Sequence, residues 1–202
     1  PHYHAGAYYP QEASSMLARA IIERLPLTSP VLALDLCAAP GGKSIGLLES
    51  LPPHSFLIAN EVIKSRTRIL IENLRKWGSC NWLPASGHPR AWTKQEERFD
   101  LILVDAPCSG EGLFRKDGNA RKEWSLENVE FCATRQTSIL NDIIPALKPG
   151  GFLIYSTCAY SPQENEERLT QLLGLDMRPF KVELPSDWGF TPKGNDGNAY
   201  QA

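Results

Sequence analysis

One stretch in the first quarter of the chain decides the fold: Val31-Leu32-Ala33-Leu34-Asp35-Leu36-Cys37-Ala38-Ala39-Pro40-Gly41-Gly42-Lys43-Ser44. Its apolar beginning, Val31 to Leu36, predicts a short strand. Small residues, a proline and two glycines follow, and a helix is predicted around Ser44 to Ser50. A strand that enters a helix through such a loop is the beginning of a βαβ unit.

The rest of the chain continues this alternation of strands and helices. Further strands are predicted at Phe56 to Ala59, Asn81 to Pro84, Phe99 to Val104 and Phe152 to Tyr155. Further helices are predicted at Gln11 to Leu25, Lys64 to Trp77, Leu126 to Leu147 and Ser161 to about Leu173. The order predicts an α/β fold with a mostly parallel sheet, right-handed crossovers and helices on its faces.

Two of these helix ends are predicted from local signals. Lys148-Pro149-Gly150-Gly151 would end the longest helix, since a cation, a proline and glycines follow its last apolar residue. Ser161-Pro162-Gln163-Glu164 would begin the last helix with an N-cap, a proline at the first position and a capping-box glutamate.

The composition is that of an ordinary globular protein, with 42% hydrophobic and 22% charged residues. No apolar run approaches the ~20 residues of a membrane span, and no signal peptide is recognisable, so we expect a cytoplasmic protein without a membrane partner.

A net charge of −2 is not typical of a stand-alone nucleic-acid binder. Because Pro1 is not a start methionine and the chain stops soon after a polar segment, residues 194–198, we expect both ends to be cut.

The five cysteines form neither a C-x-x-C pair nor a Cys/His cluster with zinc spacing, so we expect reduced thiols and no metal. Two of them directly follow predicted strands, Cys108 in Asp105-Ala106-Pro107-Cys108-Ser109-Gly110 and Cys158 in Tyr155-Ser156-Thr157-Cys158-Ala159-Tyr160. Ligands collect beyond the carboxyl ends of parallel strands, so both sulfurs could face one pocket and perform thiolate chemistry. The alternative is that both are small buried hydrophobic residues, as we expect for Cys80 and Cys132.

Three kinds of ligand are conceivable for the loop after the first strand. The dinucleotide fingerprint G-x-G-x-x-G is absent. Gly42-Lys43-Ser44 matches the end of a P-loop, but Cys37 stands where the first glycine is required and Pro40 removes one backbone N–H group. The third is a methyl donor, for which Glu61 after the second strand could accept hydrogen bonds from ribose hydroxyls. Alone, Glu61 would be read as a solvated carboxylate at a helix N-terminus.

Three motifs occur in an order that resembles one known family. They are Asp35-Leu36-Cys37-Ala38-Ala39-Pro40-Gly41-Gly42-Lys43, then Asp105-Ala106-Pro107-Cys108-Ser109-Gly110, then Ser156-Thr157-Cys158 with Pro162-Gln163-Glu164-Asn165-Glu166. This order strongly resembles the Nol/Nop/Sun family of RNA cytosine-5 methyltransferases, which use S-adenosylmethionine. Gln11-Glu12-Ala13-Ser14-Ser15-Met16 and Gly110-Glu111-Gly112-Leu113-Phe114-Arg115-Lys116-Asp117 are similar to its bacterial branch, which acts on small-subunit ribosomal RNA. The resemblance implies a Rossmann-like class I methyltransferase fold whose C-terminal strands are missing here.

The resemblance also implies a role for each matched residue. Cys158 would be the nucleophile that adds to cytosine C6, and Cys108 would assist release of the product. The cofactor-binding residues would be Cys37, Ala38, Ala39, Pro40, Gly41, Gly42, Lys43, Glu61, Arg66 and Asp105. Where the family usually has an aspartate that binds adenine, this chain reads Ala85-Ser86-Gly87-His88.

The choice of nucleophile rests on the surrounding motif. DNA cytosine-5 methyltransferases use a Pro-Cys pair, which Pro107-Cys108 matches, whereas the RNA family uses a Thr-Cys site, matched by Thr157-Cys158. The downstream Gln163 to Glu166 favours the RNA assignment.

We expect an RNA partner, ribosomal or possibly transfer RNA, together with a further RNA-binding domain in the full-length protein. Arg115-Lys116, Arg121-Lys122 and Trp124 could contact it, although a solvated charged loop is an equal alternative. Residues 1–28 would be a helical lead-in and 29–202 the methyltransferase domain. The remaining alternatives are a P-loop-like nucleotide hydrolase and an RNA-binding module without catalysis.

Overall fold

The computed structural model describes residues 2, 7–193 and 199–201. The polar segment 194–198 and His4 lie outside the described residues. The chain divides into two compact units, Pro1–Ser86 with Pro179–Ala202, and Gly87–Arg178.

The strands form a five-stranded parallel sheet in the order β3-β2-β1-β4-β5. They are β1 (Leu32–Asp35), β2 (Phe56–Asn60), β3 (Trp82–Ala85), β4 (Phe99–Asp105) and β5 (Leu147–Ser156). A separate antiparallel pair is formed by β6 (Thr191–Lys193) and β7 (Ala199–Gln201). The predicted α/β fold with a parallel sheet is therefore confirmed.

The predicted helices are present, together with two short ones. They are α1 (Ala13–Ile22), α2 (Gly42–Ser50), α3 (Lys64–Trp77), α4 (Pro89–Trp92), α5 (Gly118–Glu123), α6 (Leu126–Ile143) and α7 (Glu166–Gly174). The two short helices, α4 and α5, were not predicted. Helix α3 has the predicted bounds, and Gly78 ends it at φ 85°, a left-handed conformation that suits glycine.

Strand β4 is buried along its whole apolar run, Leu101 to Val104, where each residue has 0% exposure. The near-continuous apolar pattern predicted this burial on both faces. In the other unit, Ala38 and Ala39 pack in one apolar cluster with Ile45 of α2, Ala59 of β2 and residues of α3. The small side chains after β1 are thus core residues as well as loop residues.

The predicted end of the longest helix is wrong. Helix α6 ends at Ile143, a 3-10 turn covers Ile144–Ala146, and β5 already begins at Leu147. The break falls at Pro145, which has no N–H group to continue the helical hydrogen bonds. Gly150 and Gly151 lie inside β5, where a Cβ on Gly151 would be 2.9 Å from the Leu147 side chain and 3.0 Å from the Asp100 carbonyl oxygen.

The predicted capping box is also wrong. Pro162–Glu164 forms a 3-10 turn, α7 begins only at Glu166, and Ser161 makes no side-chain cap. Glu164 is fully buried and its carboxylate is bonded to the loop after β4 instead of to Ser161. A tertiary contact has thus replaced the local one.

Candidate functional site

The loop between β1 and α2 (residues 36–41, the first loop) is held by three side chains from two other elements, β2 and α3. Arg66 of α3 donates from Nη2 to the Ala39 carbonyl oxygen at 2.8 Å, and Asn73 donates from Nδ2 to the Pro40 carbonyl oxygen at 2.8 Å. Asn60 at the end of β2 donates from Nδ2 to the Leu36 carbonyl oxygen at 2.9 Å. Strand β2 and helix α3 therefore fix the path of this loop.

The end of the first loop needs a glycine. Gly41 has φ 117°, which side-chain-bearing residues rarely adopt, and a Cβ there would lie 3.4 Å from Leu70 Cδ1. Helix α2 begins directly afterwards, and the Gly42 carbonyl oxygen accepts a hydrogen bond from Gln11 Nε2 at 2.9 Å. The segment before α1 thereby contacts the first residue of α2. Helix α1 itself begins at Ala13 rather than at the predicted Gln11.

Glu61 is buried, with 2% exposure, so its interpretation as a solvated carboxylate is wrong. Its Oε1 accepts a hydrogen bond from the Ile63 N–H at 2.9 Å, and its Oε2 lies 3.3 Å from Arg66 Nη1. Among the residues that the structure describes, none donates a hydrogen bond to Oε2. A buried carboxylate oxygen without a donor is costly, so this residue suits a ligand that brings hydroxyl groups.

The P-loop interpretation conflicts with the position of Ser44. In P-loops the Ser/Thr hydroxyl at this position binds Mg²⁺. Here Ser44 Oγ donates to Asp35 Oδ2 at 2.6 Å, and both residues have 0% exposure. Within the described part of the chain there is also no group of three His, Cys, Asp or Glu side chains that could hold a metal.

In the second unit, the two singled-out cysteines meet. Cys108 Sγ lies 3.0 Å from Cys158 Sγ, and the Cys158 N–H donates to Cys108 Sγ at 3.4 Å. Cys158 is exposed and Cys108 is half-buried. The alternative of two buried packing residues therefore does not describe Cys158, and Cys80 is exposed as well, contrary to expectation.

The two sulfurs differ in exposure and are close enough to affect each other. The hydrogen bond with Cys158, burial and the charge of Cys158 together raise the pKa of Cys108, which favours a thiol there. Two sulfurs 3.0 Å apart do not readily ionise together, and the greater exposure of Cys158 favours it as the sulfur that carries negative charge.

Asp105 ends β4 directly opposite Ser156 of β5 in the strand register. Ser156 Oγ donates to Asp105 Oδ1 at 2.8 Å, and Asp105 is only partly buried. One oxygen of this carboxylate is thus oriented by the neighbouring strand.

The basic residues after Cys108 are exposed, but Trp124 is not free to stack on a base. Its Nε1 donates to Glu111 Oε1 at 3.0 Å, and its ring meets the Phe114 ring edge-on at 6.4 Å. The Arg121 guanidinium lies 6.0 Å from the centre of the Phe114 ring. The region is therefore an aromatic cluster with one cation, beside which Arg115 and Lys116 are exposed.

Sequence reasoning gave no functional role to two buried glutamates, Glu111 and Glu164, or to Gly112. All three lie inside motifs that were recognised from the sequence. The sequence signal that could have pointed to the glutamates is a charged residue in a loop that directly follows an apolar strand. Such a residue lies close to the core, and a charged side chain there is rarely buried unless other groups bind it.

Comparison with known proteins shows the family. Residues 25–186 match the family described as 16S rRNA methyltransferase RsmB/F. The chain belongs to this family. It is 42% identical over 198 residues to ribosomal RNA small subunit methyltransferase F of Salmonella heidelberg, covering 94% of this chain and 41% of the relative. It is 38% identical over 183 residues to the protein of that name from Aeromonas salmonicida, covering 84% of this chain and 36% of the relative. The chain thus spans about two fifths of these relatives or less.

Solved structures agree with this assignment. The structure titled NSun6 from Pyrococcus horikoshii with SFG has a TM-score of 0.79 and 28% identity, covering 91% of this chain and 46% of that one. A methyltransferase homologue from the same organism has a TM-score of 0.72 and 32% identity, covering 86% of this chain and 53% of that one. The predicted Rossmann-like methyltransferase fold is confirmed, and S-adenosylmethionine is the cofactor of the family.

Proposed function

We propose that this chain is the catalytic region of an enzyme that methylates cytosine C5 in small-subunit ribosomal RNA. The observation that carries the proposal is the pair of sulfurs 3.0 Å apart, one exposed and one held as a thiol, in a member of this methyltransferase family. A pair of this kind suits covalent catalysis, in which one thiolate attacks and a second group handles protons.

We infer that the first loop and Glu61 hold S-adenosylmethionine. Residues 37–43 would wrap the methionine part and Glu61 would accept the ribose hydroxyls, with Arg66 beside it and Asp105 near the reacting groups. The buried Oε2 of Glu61 and the rigidly held loop support this assignment. When bound, S-adenosylmethionine supplies an electrophilic methyl group.

The protein's own part in the reaction begins at Cys158. Its thiolate forms a bond to cytosine C6, which makes C5 electron-rich enough to accept a methyl group. The C5 proton then passes to solvent water, the electron pair of the C5–H bond restores the C5–C6 double bond, and the Cys158–C6 bond breaks with its electron pair returning to sulfur as the thiolate. Cys108, which stays protonated beside Cys158, assists the last step by donating a hydrogen bond to the departing sulfur.

The experiment is to mix the chain with S-adenosylmethionine and a fragment of small-subunit ribosomal RNA and to look for a covalent adduct on a denaturing gel. We expect Cys158→Ala to abolish the adduct and Cys108→Ala to let it accumulate. The opposite pattern would exchange the roles of the two cysteines. RNA binding that is unchanged by Cys158→Ala, with no methyl transfer by the unmodified chain, would favour an RNA-binding module without catalysis.

We further infer that the full-length protein contributes an RNA-binding domain, because this chain covers 36–41% of its relatives and carries a net charge of −2. Residues 1–28 remain proposed as a lead-in to the methyltransferase domain, 29–202. Ribosomal RNA as substrate and five free thiols support a cytoplasmic location. No described helix is long and apolar enough to span a membrane.

A further inference from the structure

Two loops carry the cysteines, and each contains one buried glutamate. The Cys108 loop (residues 106–113) follows β4 and includes Glu111, with 9% exposure. The Cys158 loop (residues 157–164) follows β5 and includes Glu164, with 0% exposure. Neither carboxylate takes part in the reaction proposed above, so their burial needs another explanation.

Glu164 reaches from the Cys158 loop to the residue beside Cys108. Its two carboxylate oxygens accept the Ser109 N–H at 2.9 and 3.2 Å, and Oε2 also accepts Ser109 Oγ at 2.6 Å. Gln136 of α6 donates from Nε2 both to Glu164 Oε1 at 3.1 Å and to the Pro107 carbonyl oxygen at 3.0 Å. The residue after Cys108 is therefore bonded directly to the other loop, and the residue before it is connected to that loop through Gln136.

Glu111 makes the reverse connection. Its Oε2 accepts the backbone N–H groups of Tyr160 and Ser161, the latter at 2.8 Å, and its Oε1 accepts Ser161 Oγ at 2.7 Å. The Gly112 N–H donates to the Cys158 carbonyl oxygen at 2.6 Å, so the backbones of the two loops touch at the nucleophile itself.

The charges of this arrangement are satisfied. Burial favours the neutral form of Glu111, but hydrogen bonds from Ser161, Tyr160 and Trp124 outweigh it and leave the pKa of Glu111 lowered. Such buried carboxylates add little net stability compared with apolar packing, because their desolvation is costly. What the two carboxylates do supply is a fixed geometry between the loops, because each oxygen accepts hydrogen bonds only from particular directions.

We propose that Glu111 and Glu164 are positioning residues that form a reciprocal clamp, each belonging to one cysteine loop and gripping the backbone of the other. The clamp holds the two sulfurs within hydrogen-bonding distance. Its meaning for catalysis rests on the proposed function, but its geometry can be tested without any methyl transfer.

The test measures how fast Cys108 and Cys158 form a disulfide with diamide, a diazene that takes up the two hydrogens lost by the thiols. The rate reports how often the sulfurs are within bonding reach, and mass spectrometry identifies the cross-linked pair. We expect Glu111→Gln and Glu164→Gln to slow this reaction by about tenfold. The two sulfurs are then less restrained, so each has a lower effective concentration near the other. Glu130→Gln, an exposed change on α6, is the matched control and should leave the rate unchanged.

Folding of each variant is followed by circular dichroism. Folded clamp variants that form the disulfide at the unmodified rate would overturn the proposal. If either glutamine variant does not fold, Ser161→Ala and Ser161→Thr decide, since only the first removes the hydroxyl that donates to Glu111. We expect the alanine variant to be slowed about threefold and the threonine variant to recover the rate. Equal rates for the two would contradict the clamp.

A parallel measurement separates this proposal from the proposed function. Methyl transfer to RNA and binding of S-adenosylhomocysteine are assayed on the same preparations. If the unmodified chain transfers no methyl group while the disulfide rates follow the clamp, the proposed function fails and the clamp stands. If methyl transfer is normal in variants whose sulfurs have separated, the clamp has no catalytic meaning and the inference fails.

Discussion

The first loop and the two cysteine loops are held in different ways. The carbonyl oxygens of the first loop accept hydrogen bonds from side-chain donors, such as Arg66 and Asn73. The cysteine loops also have such contacts, as from Gln136 to Pro107, but in addition their backbone N–H groups donate to the buried carboxylates of Glu111 and Glu164. A carbonyl has two lone pairs and tolerates the loss of one partner, whereas an orphaned buried N–H is rare and costly. Removing a side chain that holds a cysteine loop should therefore reduce the stability of the protein more than removing one that holds the first loop.

The largest effect is expected for Glu164→Ala. The change leaves the Ser109 N–H, the Ser109 hydroxyl and Gln136 Nε2 without their buried acceptor. We expect the free energy of unfolding to fall by about 3 kcal/mol, measured by urea denaturation. A loss below about 1 kcal/mol would mean that water replaces the carboxylate easily and that the contrast with the first loop is false.

The next effect tests the backbone contact at Cys158, the proposed nucleophile. In Gly112→Ala the added Cβ would lie 2.6 Å from the Cys158 carbonyl oxygen, so the Cys158 loop must shift. We expect a loss of about 2 kcal/mol in stability and a strong decrease in the Cys158–RNA adduct.

Gly118→Ala is the matched control, because the described part of the chain places no heavy atom within 4 Å of a Cβ there. Stability that is equal in the Gly112→Ala and Gly118→Ala variants would show that the loop accommodates a side chain.

A smaller effect on stability is expected when a side chain that holds the first loop is removed. Asn73→Ala deletes the donor to the Pro40 carbonyl oxygen, which should cost about 1 kcal/mol of stability and weaken binding of S-adenosylhomocysteine in calorimetry. Lys76→Ala on the same helix removes an ion pair with the exposed Glu72 and should change stability by less than about 0.5 kcal/mol. If Asn73→Ala proved more damaging than Glu164→Ala, the comparison would be reversed.

The smallest effect concerns pH. Because the pKa of Glu111 is lowered in the folded protein, its contribution to stability is complete above the ordinary glutamate pKa of about 4.3 and is lost as the pH falls through the folded value. The difference in unfolding free energy between the unmodified chain and Glu111→Gln should therefore shrink in acid. A difference that stays constant from neutral pH to about pH 3 would rule out a charge-dependent clamp.

Local patterns predicted most of the elements. Helix α3 was placed correctly because an amphipathic repeat and a terminal glycine are both local signals, and β4 was recognised by its continuous apolar run. The end of α6 was misplaced because two proline-containing stretches compete, and Pro145 lies closer to the helix than Pro149. Glu164 was wrongly predicted to cap a helix, because a glutamate that caps a helix and a glutamate that bonds a distant loop look the same in sequence.

The sequence alone determined the α/β order, the family motifs and the two cysteines worth attention, since each depends on residues close together in the chain. The tertiary structure decided which groups meet. Only parallel pairing of β4 with β5 aligns the strand ends that precede Cys108 and Cys158, which are 50 residues apart in sequence. The tertiary structure also determined that Glu61, Glu111 and Glu164 are buried. A carboxylate's surroundings come from segments distant in sequence, and its environment therefore follows from packing rather than from local pattern.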